Sequence, residues 1–150
     1  MNHDRLLADI EQAEGFRRIA YRDTLGNWTA GYGHLLTPQT DDWTGKEFDR
    51  PTIEQWLSQD IEAAAVQAQK LGEWAVLDTD ARENAVIELV FNMGLGHWRE
   101  FVLSRAALQQ KNWTRASTQL LNSTWARQVG ERRSARIANY ILTGVFDNGT

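Results

Sequence analysis

From Glu14 to His34 the chain reads EGFRRIAYRDTLGNWTAGYGH. This run commits the protein to a β-hairpin set among helices. Ile19 to Arg22 and Trp28 to Tyr32 favour strands, and Thr24-Leu25-Gly26-Asn27 between them has turn chemistry. Gly31 and Gly33 weaken the second strand, which marks a bulge or a close approach of other atoms to the backbone. In such a hairpin Asp23 and Thr29 are expected to face one another near the turn. The run is preceded by a helix over residues 3–13, with Asn2 as cap and Leu6, Leu7, Ile10 and Ala13 as its apolar stripe. Gly15 suits the position just past its end. Glu14 therefore occupies the last turn, where the negative end of the helix macrodipole disfavours a charged carboxylate. A helix built only for stability would carry Lys or Arg there.

After the hairpin the period changes. Residues 37–51 read as loop or a third short strand. A long amphipathic helix is predicted over 51–71, capped by Asp49 or Thr52, striped by Trp56, Leu57, Ile61, Ala64 and Ala68, and ended by Gly72. It would span roughly 30 Å at 1.5 Å per residue. Residues 80–93 are apolar on most faces, as a buried central helix is, with Thr79 as cap and Gly94 and Gly96 at its end. Further helices are predicted at about 98–111, 114–122 and 131–142. Gly144 ends the last, and residues 147–150 are expected to fray. Strands cluster before residue 50 and helices after it, the α+β pattern.

The 150 residues suit one domain, or two lobes on one chain, and a 42% apolar fraction can fill a core. With no cysteine the chain holds neither disulfides nor a thiolate metal site. His3, His34 and His97 are scattered without metal-ligand spacing, so no metal or cofactor is expected. GNWTAGYG lacks the Lys-Ser/Thr ending of a phosphate loop, and no GxSxG elbow is present. Apolar runs are too short to span a bilayer, and the N-terminus does not read as a secretory signal. Residues 1–98 hold 8 basic and 17 acidic side chains, whereas residues 99–150 hold 8 basic and 3 acidic. The basic second half suits an anionic polymer, and without a recognition-helix signature the cell wall is a better fit than nucleic acid.

One constellation can carry chemistry. Cleaving a glycosidic bond takes two carboxyl groups on opposite faces of it, one protonated as general acid and one ionised to activate water. Glu14, at a helix end among apolar neighbours, suits the first task, and Asp23, at a hairpin end nearer solvent, the second. Thr29 could hold the water. Helix-end and turn-capping acids produce the same spacing, so the pair alone leaves both readings open.

The run AEGFRRIAYRDTLGNWTAGYGHLL resembles the active-site region of phage-type lysozymes, the endolysins of glycoside hydrolase family 24. The matching residues are Glu14-Gly15, Ala20-Tyr21-Arg22-Asp23, Gly26, Thr29, Gly31 and Gly33-His34. Leu89-Val90-Phe91-Asn92-Met93-Gly94 resembles the family's central helix. Leu108 to Trp113, then Trp125 and a basic helix with Arg132, Arg133 and Arg136, match in the same order.

The resemblance implies a two-lobed lysozyme fold. Its small lobe would be about 14–50, its connecting helix about 51–71, and its helical lobe about 74–146 plus 1–13, with glycan bound between the lobes. It implies an inverting muramidase that cuts the β-1,4 bond between N-acetylmuramic acid and N-acetylglucosamine in peptidoglycan. Glu14 would be the acid, Asp23 the opposing carboxylate, and Thr29 the water-orienting residue. Leu35, Phe91, Ser104 and Gln119 would line the sugar site. Arg133 or Arg132 would restrain Glu14, and His34 would be a structural partner of Asp60. The implied partner is a peptidoglycan strand, with no nucleic acid and no membrane insertion, and the protein is expected to be a monomer. It would stay in the host cytoplasm until released to the periplasm and wall. The rivals are a non-catalytic glycan-binding or virion protein of the same fold, and a lytic transglycosylase in which Asp23 is dispensable.

Overall fold

The computed structural model describes residues 1–147. Residues 148–150, part of the stretch expected to fray, lie outside them. The elements are α1 (His3–Ala13), β1 (Arg17–Arg22), β2 (Trp28–Gly31), β3 (His34–Leu35), α2 (Arg50–Ala68), a 3-10 turn (Trp74–Val76), α3 (Asp80–Met93), α4 (Leu95–Arg99), α5 (Val102–Gln109), α6 (Trp113–Leu121), α7 (Thr124–Val129) and α8 (Glu131–Thr143). This is an α+β chain with one antiparallel sheet of order β1-β2-β3. It separates into two compact units, Asp4–Glu62 and Met1–His3 with Ala63–Thr150, so the boundary falls inside α2. The sequence reading grouped residues 1–13 with the helical lobe, whereas Asp4–Ala13 groups with the sheet.

In the sheet unit, strand alternation sorts the residues. Ala20, Trp28, Ala30 and Leu36 are buried and pack with Trp43, Phe48 and Trp56. Gln39 ties β2 to the loop beyond β3, accepting from the Trp28 backbone N–H and donating to the Trp28 and Leu36 carbonyls. The third strand lies at His34–Leu35 rather than within 37–51, and Glu47 forms only an isolated bridge with Ile19. Asp49 caps α2 by accepting from the Thr52 N–H at 3.0 Å. The helix stops at Ala68, short of the predicted Leu71, because its last carbonyls turn to tighter bonds from Lys70 and Leu71 three residues on. Gly15 does not take the left-handed conformation expected of it, since its φ is not positive.

In the helical unit, α3 begins at Thr79, whose hydroxyl accepts from the Arg82 N–H. Its surroundings are less apolar than the sequence suggested. Asn84, Glu88 and Asn92 recur every four residues and so share a face. Asn84 exchanges two hydrogen bonds with the Asn2 backbone, Glu88 takes Arg133 and Arg136, and Asn92 accepts from the Trp125 indole. The predicted helix 98–111 is broken into α4 and α5, because Phe101 leaves helical dihedrals at φ −79°, ψ 59°. The helix α7 lies between the predicted helices 114–122 and 131–142, where none was expected. Ser123 caps it and Gly130, at φ 91°, ends it.

Candidate active site

The hairpin turn sets the geometry of the candidate site. The Gly26 N–H donates to the Asp23 carbonyl at 3.0 Å, the Asp23 N–H donates to the Asn27 carbonyl at 2.9 Å, and Gly26 sits at φ +83°. This is a type I turn followed by a left-handed residue, a common hairpin closure. Asp23 Oδ1 accepts from the Leu25 and Asn27 N–H groups, each at 2.9 Å. One carboxylate oxygen is thus spent on the turn, while Oδ2 makes no hydrogen bond among the described residues.

That closure decides the register. Contrary to the expectation from the sequence, Asp23 and Thr29 do not face one another. Thr29 lies opposite Tyr21, and on its other side opposite Leu35. The turn loop is three residues long and brings Asn27, not Thr29, against Asp23. The two residues are nonetheless joined. The Thr29 hydroxyl donates to the Asn27 carbonyl at 2.9 Å, and the Asn27 N–H donates to Asp23. Thr29 is almost wholly buried, at 2% exposure. Tyr21, Thr29 and Leu35 therefore form a row across the sheet, on the face opposite the Ala20, Trp28, Ala30 and Leu36 core.

Glu14 follows the last turn of α1, its N–H donating to the Ile10 carbonyl at 2.8 Å. Its side chain leans toward the β2–β3 turn: a Cβ built on Gly33 would lie 3.9 Å from Glu14 Oε2. Phe16 packs on Tyr32 in the same turn, with centroids 5.3 Å apart. Both carboxylates act on Tyr21. Burial raises the pKa of its phenol first; the Arg17 guanidinium opposes this, and the charges of Glu14 and Asp23 add to the rise. Glu14 and Asp23 are thus both within electrostatic reach of one side chain. Tyr21 and Asn27 are the residues sequence reasoning missed. The period of two that places Tyr21 with Asp23 was available, but the role of Asn27 depends on the turn's register.

The remaining candidates fall as follows. His34 Nδ1 lies 2.8 Å from Asp60 Oδ2 on α2, and its ring stacks on Trp56 at 4.4 Å. Leu35 is 51% exposed. In the helical unit, Ser104 and Gln119 line one open hollow of about 290 Å³ with Phe101, Leu103 and Asn122, and Phe91 is half-buried on α3 outside it. Arg133 is buried, with its Nε 2.9 Å from Glu88 Oε2. No group of three His, Cys, Asp or Glu among the described residues could hold a metal ion.

An acid at the end of a first helix, a small antiparallel sheet whose hairpin carries a second acid and a hydroxyl, and then a long helix and a set of shorter ones define a lysozyme-like α+β enzyme. The chain belongs to the phage lysozyme family, whose model matches residues 11–138. It is similar to probable T4-type lysozyme 1 of Dictyostelium discoideum, at 26% identity over 92% of this chain and 94% of that protein. An endolysin of Acyrthosiphon pisum secondary endosymbiont phage 1 is 30% identical over 82% of this chain and 80% of its own length. Peptidoglycan hydrolase gp36 of Pseudomonas phage phiKMV is 26% identical over 86% of this chain, a match that covers 14% of that protein.

Proposed function

We propose that this lysozyme-family enzyme hydrolyses the β-1,4 bond between N-acetylmuramic acid and N-acetylglucosamine in bacterial peptidoglycan, with inversion, as an endolysin serving host cell lysis. The observation that carries the reading is the Asp23–Asn27–Thr29 linkage. The turn holds Asp23 by one oxygen, leaving Oδ2 to take a proton from water. The Thr29 proton is committed to the Asn27 carbonyl, so its oxygen can only accept, and it suits the water's second proton. A water held between two acceptors has its lone pair directed away from both, toward the anomeric carbon. Glu14, against the β2–β3 turn, is the general acid that protonates the leaving oxygen.

Leu35, Phe91, Ser104 and Gln119 are the proposed sugar contacts, Ser104 and Gln119 through their shared hollow. His34, Asp60 and Arg133 are support. The enzyme acts as a monomer without a cofactor, and it reaches the wall from the host cytoplasm. No helix among the described residues is long and apolar enough to cross a membrane.

The test is clearing of permeabilised Gram-negative cells, with anomer analysis of the products. Glu14→Gln and Asp23→Asn should each lose at least about 100-fold in rate with folding intact. Full activity in Glu14→Gln sinks the mechanism. An anhydro product, with Asp23→Asn active, would make the protein a transglycosylase instead.

A further inference from the structure

Tyr21 stands in the Ala20 to Asp23 run, yet neither the acid nor the water-holding role uses it. Its place in the sheet is specific. It is at one end of the Tyr21–Thr29–Leu35 row, and Asp23 follows two residues later on the same side of the chain. The opposite face of the sheet is filled by the aromatic core, so the half-buried Tyr21 and the exposed Leu35 flank the buried Thr29 on the other face.

The ring is held from one side. The Arg17 guanidinium carbon lies 4.4 Å from its centroid, a cation–π contact. Tyr21 is half-buried, and its hydroxyl makes no hydrogen bond among the described residues. A partly buried phenol that the protein itself does not satisfy is suited to an incoming acceptor. It also remains neutral. Burial and the charges of Glu14 and Asp23 hold its proton, against the pull of Arg17. It therefore offers an O–H donor without adding negative charge beside Asp23. Sugar rings match this surface, since they carry hydroxyl and acetamido oxygens at their rims and C–H groups that can lie on Leu35.

We propose that Tyr21 contacts the substrate, its phenol O–H donating a hydrogen bond to a hydroxyl or acetamido oxygen of the saccharide bound over the Thr29–Leu35 row. The proposal rests on the glycan-hydrolase reading above. Its test separates the two. Binding of the N-acetylglucosamine hexamer is measured on Glu14→Gln and on Glu14→Gln/Tyr21→Phe, and kcat and KM on soluble glycan strands for wild type and Tyr21→Phe. One neutral hydrogen bond corresponds to roughly a 2- to 13-fold effect. The expected result is that Tyr21→Phe weakens hexamer binding and lowers kcat/KM by that factor, with Tm and both limbs of the pH–rate profile unmoved.

Unchanged hexamer affinity overturns the proposal. So do displaced pH limbs with normal binding, which would mean that Tyr21 acts through the carboxylates. Where Tyr21→Phe lowers Tm, 3-fluorotyrosine at position 21 keeps the shape and makes the hydroxyl more acidic; hexamer affinity must then change, and constancy overturns the contact. Failure of Glu14→Gln to bind the hexamer overturns the Tyr21 contact and leaves the hydrolase reading to the clearing assay, whereas full activity of Glu14→Gln removes the mechanism and leaves the Tyr21 contact standing on the binding data.

Discussion

Gly31 adopts φ +67°, and a Cβ built there would lie 2.8 Å from Ile53 Cγ2. Two penalties coincide at this residue. A left-handed backbone costs an L side chain about 1–2 kcal/mol, and an overpacked core contact costs about 1–3 kcal/mol. Gly31→Ala should therefore destabilise the protein by about 2–5 kcal/mol, measured by urea unfolding. The two penalties can be separated, because Ile53→Ala removes the clashing methyl but not the φ strain. The double variant Gly31→Ala/Ile53→Ala should fall short of the summed losses by about 1 kcal/mol or more. Strict additivity would show that Ile53 is not what forbids a side chain. At this scale the sequence was informative but incomplete. Glycine at 31 and 33 signalled a close approach, and the structure supplies the approaching atoms, Ile53 from α2 and the Glu14 carboxylate.

Among the elements, α2 is capped by a single carboxylate. Asp49 accepts from Thr52 at its N-terminus, and hydrogen bonds from the Thr52 side chain and backbone hold its carboxyl below the usual carboxylate range. The sign follows directly. A carboxyl whose folded pKa is depressed contributes stability at pH values above its unfolded pKa of about 3.9 and loses it as pH falls through the folded value. Asp49→Ala should lower Tm at pH 7, and the gap to wild type should shrink as pH drops below about 4. A gap that stays constant to pH 2 would mean that the charge of Asp49 contributes nothing. Elements with a strong period or a named cap were legible: α1, α2, α3 and α8 lie close to their predicted spans, and Thr79 caps as expected. The break between α4 and α5 and the short α7 were not, because their apolar residues repeat over too few positions for periodicity to register.

Across the whole molecule, the helical unit is joined through buried charge. Glu88 is 1% exposed and takes both Arg133 and Arg136 from α8, while Glu73 is fully buried and takes Arg105 and the Trp98 indole. Such groups are costly to break, because removing one partner strands the other's charge out of water. Glu88→Gln should destabilise by about 3–5 kcal/mol, read as a fall in the urea midpoint at unchanged m-value. A loss below about 1 kcal/mol would indicate that water reaches both arginines. The chain's two charge-unlike halves gave no hint of this pairing, since Glu88 and its arginines lie more than forty residues apart in sequence.

Read alone, the sequence determined the class. Local turn chemistry, caps and a period that switches from two to 3.6 are properties of neighbouring residues, and they defined a hairpin, a long helix and a helical remainder. The misplaced Glu14 and the run to His34 identified the candidate acids and the family. Only the tertiary structure decided what those residues face. Register moved Thr29 from Asp23 to Tyr21 and connected the pair through Asn27. Packing brought Gly33 against Glu14, and the polar stripe of α3 found partners far along the chain. The reason is range: a hairpin's existence is written in its turn, but its register depends on one hydrogen bond at the closure, and each partner across a core is chosen by the whole fold.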